Sequence, residues 1–402
     1  MRLHRHDGSV RRVTSQAVAL YVHIPYCLAK CPYCDFNSYA ARVWPEDAYA
    51  DALLAELAHA TREGVFPRGT ATSIFFGGGT PSLFAPRTIA RLLERAAREL
   101  TLADDVEITL EANPGTVDEE RLAGFVAAGV NRLSFGIQSF RPELLLALGR
   151  RHSVEDSVRA LGAARAAGVR NLSLDLIYAV PGESLDDCAA DLERAIEIAP
   201  EHVSAYNLTY EKGTALYREL QEGRVDPAPE ELEVAMFHLV RDRLADHGYA
   251  QYEISNYAQH GREARHNQAY WRGTPYLGLG AGAHSFVPRD ASDDATSYGT
   301  RWDTLRDPNR YMEAIRATGC AVASREELTR TQAMGEACWL GLRERRGVDL
   351  DRFAARFGTP LRDAFPHVGQ LLADGLVEWR EPHLRLTTQG LLVADSVFAS
   401  FQ

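Results

Sequence analysis

The chain of 402 residues has a hydrophobic fraction of 46%, a charged fraction of 25% and a formal net charge of −11. This composition is typical of a globular protein with its own core, and the negative charge argues against nucleic acid as a partner. No apolar run approaches the ~18 residues that span a bilayer, and residues 1–16 lack the apolar core of a secretory signal. We therefore expect a cytoplasmic protein, peripheral to a membrane at most, with residues 1–16 as a flexible extension.

Residues 17–230 alternate short apolar runs with amphipathic stretches. Strands are predicted at 18–23, 71–76, 106–111, 131–136, 171–176 and 203–208. Helices are predicted between them at 46–63, 86–100, 118–128, 142–148, 154–167 and 185–198. Such alternation is typical of repeated βα units on a parallel sheet. Six units predict an α/β fold, a partial (β/α)6 barrel that is open on one side.

Three of the six cysteines follow the first predicted strand with the spacing C-x3-C-x2-C: Cys27, Cys31 and Cys34. A [4Fe–4S] cluster normally takes four thiolates, so three thiolates from one loop would leave one iron open to a substrate. A structural zinc site, with His23 or another cysteine as the fourth ligand, is an alternative that the spacing leaves open. A disulfide framework is disfavoured, because so few cysteines in a chain of this length suit a reducing compartment.

Polar residues or glycines stand where each later strand of the predicted barrel ends. They are three glycines at 77–79 with Thr80, then Glu111 and Asn113, then Gln138, then Asp175, and last Asn207. Because the carboxyl ends of parallel strands meet at one face of a barrel, we expect these residues to build one ligand site with the cysteine loop. The glycines would let backbone groups approach a ligand closely.

The segments Tyr21-Val-His-Ile-Pro-Tyr-Cys27 and Cys31-Pro-Tyr33-Cys34-Asp-Phe36 resemble the cluster loop of the radical S-adenosylmethionine (radical SAM) superfamily. They look most similar to the branch that contains oxygen-independent coproporphyrinogen III dehydrogenase and the haem chaperones. The resemblance implies a [4Fe–4S] cluster held by the three cysteines, with bound S-adenosylmethionine (SAM). It also implies SAM contacts from the matching positions Tyr21, Tyr33, Gly78, Gly79, Thr80, Glu111, Gln138, Arg150 and Asp175, and, through its neighbours alone, Thr209.

A second motif, His266-Asn267-Gln-Ala-Tyr270-Trp271, lies in residues 231–300, which we expect to extend the barrel. A histidine beside two large aromatics suits a porphyrin ligand, but a hydrogen-bonded core histidine beside a packed tryptophan has the same pattern. The motif resembles a haem-binding signature of the chaperone subgroup. That resemblance implies haem as cargo, with contacts from His266, Asn267, Tyr270 and Trp271.

Residues 311–402 are predicted to form a separate C-terminal α+β domain. Helical patterns at 311–317, 326–345, 349–356 and 361–373 precede a hairpin near 375–387 and a last helix that ends at 398. Helices followed by a small hairpin resemble a winged helix. Because this segment is not strongly basic, we expect a lid or interaction role rather than DNA binding.

Phe36 occupies the position at which the dehydrogenases of the branch usually carry a fourth cysteine. Together with the second motif, this favours a haem chaperone that delivers haem to respiratory enzymes. Its expected partners are haem or a porphyrinogen, a reducing electron donor such as a flavodoxin, and a haem-receiving respiratory protein. The alternative is a coproporphyrinogen III dehydrogenase, which oxidatively decarboxylates two propionates, and a zinc-binding module is the third hypothesis. One departure from the family is Ala179, where glycine is usual, so the backbone approach there can differ.

Overall fold

The computed structural model describes residues 16–289 and 297–402. The predicted extension, residues 1–16, lies outside this range except for Gln16, and so does part of the segment 231–300. No helix in the described ranges is both long and apolar enough to cross a membrane.

Strands and helices are numbered separately in chain order. The strands are β1 (Ala17–Ile24), β2 (Tyr26–Cys27), β3 (Tyr39–Ala40), β4 (Thr70–Gly78), β5 (Thr101–Ala112), β6 (Arg132–Gln138), β7 (Leu172–Tyr178), β8 (His202–Asn207), β9 (Ala250–Gln251), β10 (Asn256–Ala258), β11 (Tyr276–Leu279), β12 (His284–Pro288), β13 (Gly299–Thr304), β14 (Val322–Glu327), β15 (Val348–Asp349), β16 (Val377–Arg380) and β17 (His383–Leu386). The helices are α1 (Glu46–Arg62), α2 (Pro86–Glu99), α3 (Glu119–Ala128), α4 (Pro142–Ala147), α5 (Val154–Ala166), α6 (Leu185–Ile198), α7 (Ala215–Gln221), α8 (Glu230–Asp246), α9 (Arg265–Trp271), α10 (Pro308–Thr318), α11 (Arg330–Gly341), α12 (Leu350–Phe357), α13 (Leu361–Ala364), α14 (Val368–Ala373), α15 (Thr388–Leu392) and α16 (Ala394–Ala399).

Twelve strands of the described chain form one sheet in the order β14-β13-β12-β11-β1-β4-β5-β6-β7-β8-β10-β9. The six predicted barrel strands are confirmed, and they pair in parallel in sequence order from β1 to β8. The short strand β11 adds a seventh parallel strand beside β1, and antiparallel strands extend both edges. The sheet therefore forms the predicted partial barrel. Its edge strands are β14 and β9 rather than the first and last of the six predicted strands.

The barrel strands are buried on both faces, as is usual for a parallel sheet covered by helices. In β7 every residue except Asp175 is buried. The helices between the strands begin and end at local signals. Ser153 and Ser184 each form a capping box at the start of α5 and α6, and Gly129 ends α3 with a φ of 112°. Local capping and strand burial thus agree with the same α/β topology.

The C-terminal residues pack around a second core. It contains helices α11 to α16 and a three-stranded sheet in the order β15-β17-β16, which is the α+β arrangement predicted for this end. Phe286 of β12 already belongs to this core, and its remaining buried members run from Leu328 onwards, whereas the predicted C-terminal domain begins at 311. The reason is that Tyr311 and Ile315 of α10 pack into the barrel core, and that β14 pairs with β13 of the large sheet.

Candidate functional site

The cysteine loop between β1 and β3 is held in shape by hydrogen bonds to its own backbone. Lys30 Nζ donates to the carbonyls of Phe36 at 3.0 Å and Ser38 at 3.3 Å, and the amide of Cys34 donates to the carbonyl of Cys31 at 3.2 Å. The two ends of the loop pair in parallel as β2 and β3. All three thiols are free and half-buried. The three sulfur atoms therefore belong to a loop whose ends and backbone are joined by hydrogen bonds.

Thr80 and Arg150 bring two further chain segments to these thiols. Thr80, which follows β4, donates from its hydroxyl to Cys27 Sγ at 3.5 Å. Arg150, which follows α4, donates from a guanidinium nitrogen to Cys31 Sγ at 3.4 Å. Cys34 Sγ lies 3.8 Å from a serine hydroxyl of the loop itself. The thiols thus lie beside residues that follow the barrel strands.

Asn113 connects these two donors. Its Nδ2 donates to Thr80 Oγ1 at 2.8 Å, and its Oδ1 accepts from Arg150, which also donates to the carbonyl of Gly136 at 2.7 Å. Because the Thr80 hydroxyl accepts from Asn113, its proton is directed to the sulfur of Cys27. We call the point where Cys27, Cys31, Thr80, Asn113 and Arg150 meet the barrel mouth. The sequence indicated that Asn113 ends a strand, but not that it joins the other residues.

The glycines after β4 allow this strand to pack closely against the end of β1. The amide of Gly79 donates to the carbonyl of Ile24 at 2.8 Å, and a Cβ on Gly79 would lie 2.7 Å from the carbonyl oxygen of Tyr26. Gly78 has a φ of 112°, which a side chain would disfavour. These glycines are therefore required to seat the cysteine loop on the barrel.

Two carboxylates, Glu111 and Asp175, lie inside the barrel beneath this loop. The amide of Gly78 donates to Glu111 Oε2 at 3.2 Å, and the Ser134 hydroxyl lies 3.2 Å from both Asp175 oxygens. Burial, with the nearby Asp175 charge, raises the pKa of Glu111 to about 8. Burial also raises the pKa of Asp175. The charge of Arg132 opposes both pKa shifts, and Arg150 also opposes that of Asp175.

Arg132 is a buried cation inside the barrel that the sequence analysis did not single out. It is among the largest fully buried side chains, and its Nε has no hydrogen-bond partner among the described residues. Its signal in the sequence was a lone arginine at the start of a predicted apolar strand. A buried cation normally needs anionic partners, and the two carboxylates are the ones available.

Gln138 and Ala179 follow strand ends with left-handed backbone angles although neither is glycine. Their φ values are 69° and 61°. A Cβ on Gly136 would lie within 3.3 Å of Gln138 Nε2, Asn113 Oδ1 and a guanidinium nitrogen of Arg150, so the Gln138 amide reaches the barrel mouth. Ala179 adopts a backbone conformation that suits glycine, at a cost of about 1 kcal/mol. The departure from the family pattern therefore leaves a glycine-like backbone in place.

The remaining predicted SAM contacts are spread more widely. Tyr21 lies deeper in the barrel, where its hydroxyl is 3.0 Å from His23 Nδ1 and its ring centroid is 6.2 Å from that of Phe75. Tyr33 packs against a small apolar cluster beside the loop, and burial raises the pKa of its hydroxyl. Thr209 is exposed just beyond β8. The assignment of these residues to SAM stays a prediction.

The donor set at the barrel mouth fits an iron–sulfur cluster. Burial raises the pKa of the Cys27 and Cys34 thiols, so a bound metal centre would be needed to hold them as thiolates. Within the described ranges, no group of three His, Cys, Asp or Glu residues is arranged to hold a single metal ion. A cluster binds its thiolates through several irons, so they need not meet at one ion-sized position.

The second motif does not converge on one point. His266 is buried, with Nδ1 2.9 Å from the Ser73 hydroxyl and Nε2 3.0 Å from the Tyr270 hydroxyl. Burial lowers the pKa of His266 to about 3, so the ring is neutral. Trp271 instead faces the second core, where the Arg343 guanidinium lies 4.7 Å from its ring centroid. Asn267 is half-buried on the same helix. Axial ligation by His266 would require one of its hydrogen bonds to break, and the haem contacts stay a prediction.

Two family models match the chain. The radical SAM superfamily model matches residues 21–195, and the HemN C-terminal domain model matches residues 328–393. The first match covers the parallel strands from β1 to β7, and the second covers helices α11 to α15.

Full-length relatives and one solved structure agree with these matches. The haem chaperone HemW of Bacillus subtilis (strain 168) is 37% identical over 95% of this chain and 98% of its own length. The Mycobacterium tuberculosis (strain ATCC 25618 / H37Rv) haem chaperone HemW is 38% identical, over 95% of this chain and 94% of its own. Coproporphyrinogen III oxidase (HemN) of Escherichia coli superposes with a TM-score of 0.81 at 24% identity, over 97% of this chain and 91% of that one, which shows a shared fold. The chain therefore belongs to the HemW family of the radical SAM superfamily.

Proposed function

We propose that this protein is a haem chaperone that holds a [4Fe–4S] cluster through Cys27, Cys31 and Cys34, binds SAM at the barrel mouth, and carries haem to a respiratory enzyme. A radical SAM domain implies the cluster and SAM, and relatives that match this chain along nearly its whole length are named haem chaperones. The observation that carries the proposal is that Thr80 and Arg150, joined by Asn113, each donate to one of the three thiols.

The residues of the barrel mouth would control the charge and orientation of the bound groups. When bound, the cluster and SAM supply one-electron chemistry. Arg150 places a guanidinium group in hydrogen-bond contact with Cys31 Sγ. Thr80 is fixed by Asn113 so that its proton points to Cys27. Both contacts place a charge or a dipole at a sulfur, and the bound cluster would hold the buried thiols in their thiolate form.

Glu111 and Asp175 would bind the polar parts of SAM. Carboxylates inside a barrel accept hydrogen bonds from hydroxyl and ammonium groups, and SAM offers both kinds of donor. A cationic ligand would also stabilise the ionised form of Glu111 against the burial that raises its pKa. We therefore assign Glu111 and Asp175, with the glycine backbone at Gly78 and Gly79, to SAM orientation rather than to proton transfer.

The alternative function is that of a coproporphyrinogen III dehydrogenase. The superposition on HemN is compatible with it, but at 24% identity that likeness shows the fold alone. Phe36 is 62% exposed at the position expected for a fourth cysteine, so no sulfur extends the ligand set there. This observation favours the chaperone. We further propose a cytoplasmic site of action with transient membrane contact during delivery, and reduction by a donor such as a flavodoxin.

Anaerobic reconstitution of the full chain tests the proposal. The protein should bind iron and sulfide, and Cys34→Ala should lose most of both, whereas Cys320→Ala, a half-buried cysteine outside the loop, should retain them. Added haem should bind and shift its Soret band. Conversion of coproporphyrinogen III with SAM and reductant, without haem binding, would instead support the dehydrogenase. Equal iron content in the two cysteine variants would contradict the assigned ligands.

A further inference from the structure

The backbone at the end of β6 turns in an unusual way that brings the Gln138 side chain to the barrel mouth. Gln138 is left-handed, and the register between β6 and β7 shifts between Gly136 and Gln138, which marks a bulge. Bulges often re-aim a side chain next to a functional site. The side-chain amide of Gln138 lies beside Asn113 and Arg150. We call residues 137–140 the Gln138 turn.

His152 binds the carbonyl on the N-terminal side of Gln138. Its side chain is buried, and its Nε2 lies 3.1 Å from the carbonyl oxygen of Ile137. Burial, together with the charge of Arg150, lowers the pKa of His152 to about 4, so the ring is neutral. Because a carbonyl oxygen only accepts, Nε2 carries the hydrogen in this contact.

Asp191 binds an amide on the C-terminal side of Gln138. The amide of Phe140 donates to Asp191 Oδ1 at 2.8 Å, and both residues are buried. Asp191 belongs to α6, which follows the next strand of the barrel. Burial raises the pKa of Asp191 to about 6, so the side chain is mainly a carboxylate at neutral pH. A hydrogen bond to a carboxylate is stronger than one between neutral groups.

The two contacts therefore fix the backbone on both sides of Gln138. They come from separate parts of the chain, since His152 precedes α5 and Asp191 lies in α6. Arg150 adds a third contact, to the carbonyl of Gly136 at 2.7 Å. A left-handed residue that is not glycine is strained and persists only where its surroundings determine it. Buried partners on either side of Gln138 meet that requirement.

The neighbouring turn after β7 has the same kind of anchor but a different side chain. Ala179 is also left-handed, and the next amide, that of Val180, donates to Glu183 Oε2 at 2.9 Å. Glu183 is buried like Asp191. An alanine methyl group cannot form a hydrogen bond with a ligand, whereas the Gln138 amide can. The two turns thus provide a natural pair for comparison.

We infer that His152 and Asp191 are positioning residues for SAM, because they hold the Gln138 turn in the conformation that brings its amide to the barrel mouth. This inference rests on the proposed function, since it requires that SAM binds there and contacts Gln138. It adds to that function two residues from outside the barrel mouth, which act through Gln138.

SAM affinity of the anaerobically reconstituted full chain, measured by equilibrium dialysis, tests this inference. His152→Leu removes the donor to Ile137, and Asp191→Leu removes the acceptor at similar volume. Each should weaken SAM binding about fivefold, the effect of one hydrogen bond. In a Gln138→Ala background the same changes should weaken SAM by less than about twofold, because the side chain through which they act is gone. Asp191→Asn keeps an acceptor for the backbone amide and should retain the affinity.

Glu183→Leu is the matched control, because it removes the same kind of buried bond from the neighbouring turn. Any effect of this change on SAM affinity should be the same with and without Gln138→Ala, since Glu183 does not act through Gln138. A purely structural role of the three residues would instead give the same pattern in all of the Leu variants.

The outcomes separate the inference from the function. If the unmodified reconstituted protein binds no SAM, the proposed function itself fails. If it binds SAM, but the His152 and Asp191 variants with unchanged circular dichroism lose affinity equally with and without Gln138, or lose none, the inference is overturned and the function stands. The two Leu variants break separate bonds, so either one that folds decides the question.

Discussion

The barrel mouth and the small cleft between the end of α9 and the second core, which is lined by Arg346 and Arg352, hold their polar groups in opposite ways. At the barrel mouth Arg150 is tied to a sulfur, an amide and a carbonyl, and the backbone at Gln138 and Ala179 is left-handed without glycine. In the cleft, Arg346 and Arg352 are exposed, and the left-handed lining residues are glycines. The barrel mouth is fixed by hydrogen bonds at a cost in backbone strain, whereas the arginines of the cleft are exposed to solvent. A fixed arrangement of this kind is what the cluster and SAM proposed for the barrel mouth would require.

Replacing one arginine from each site should give the largest contrast. Arg150→Met would leave Asn113 Oδ1 and the carbonyl of Gly136 without their donor, and we expect it to lower the free energy of unfolding by about 2–4 kcal/mol. Arg352→Met should stay within about 0.5 kcal/mol, because its side chain is exposed. Urea unfolding of the cluster-free protein measures both values. Similar losses in the two variants would remove the distinction drawn above.

The second largest effect should be a pH dependence of stability that comes from Glu111 inside the barrel. The Glu111 pKa is about 8 in the folded protein against an ordinary value of 4.5, so its protonated form is the more stable one when folded. Its contribution is fully present below pH 4.5 and is lost as pH rises through 8. We expect the free energy of unfolding of the cluster-free protein to fall by at most about 1.4 kcal/mol per pH unit in this window.

Glu111→Gln should flatten that dependence, because the amide resembles the protonated carboxyl. Glu120→Gln, an exposed position at the start of α3, is the matched control and should keep the original slope. Asp175, Glu56 and Glu183 titrate in the same direction, because burial raises the pKa of each, so Glu111→Gln should reduce the slope without removing it. An unchanged slope in Glu111→Gln would show that another group is responsible.

Removing a single hydroxyl should have a smaller effect. Thr80→Val keeps the shape of a buried side chain but leaves Asn113 Nδ2 without its acceptor and Cys27 without its donor. We expect a loss of about 1–2 kcal/mol in urea unfolding and weaker retention of iron after reconstitution. Thr318→Val, an exposed hydroxyl in the last turn of α10, should change stability by less than about 0.5 kcal/mol. Iron retention equal to that of the unmodified protein would argue that the Thr80 hydroxyl does not support the cluster.

Local patterns in the sequence predicted much of the fold, whereas contacts between distant segments could not be predicted. The barrel strands were predictable because long apolar runs alternate with helices that begin at capping residues such as Ser153 and Ser184. Strand β11 was missed, since four residues with a glycine carry too little pattern. The cysteine loop and strand ends were visible as local motifs, but the partnership of Asn113 with Arg150 was not. The cleft could not be predicted, because its lining residues come from separate segments that meet only through packing.

Ala179 offers the smallest and most specific test of strain at the barrel mouth. Its φ of 61° would suit glycine, so Ala179→Gly should relieve up to about 1 kcal/mol of backbone strain but lose the contacts of a buried methyl group. Ala199, with a φ of 51° at an exposed helix end, has similar strain without that burial, and Ala199→Gly should therefore be the more stabilising change. Ala164→Gly, in the buried interior of α5, has no strain to relieve and should destabilise. Thermal unfolding ranks the three variants, and Ala179→Gly should fall between the other two. If it is as harmful as Ala164→Gly, the strain is not significant, and the barrel mouth owes its rigidity to the hydrogen bonds of Asn113 and Arg150 alone.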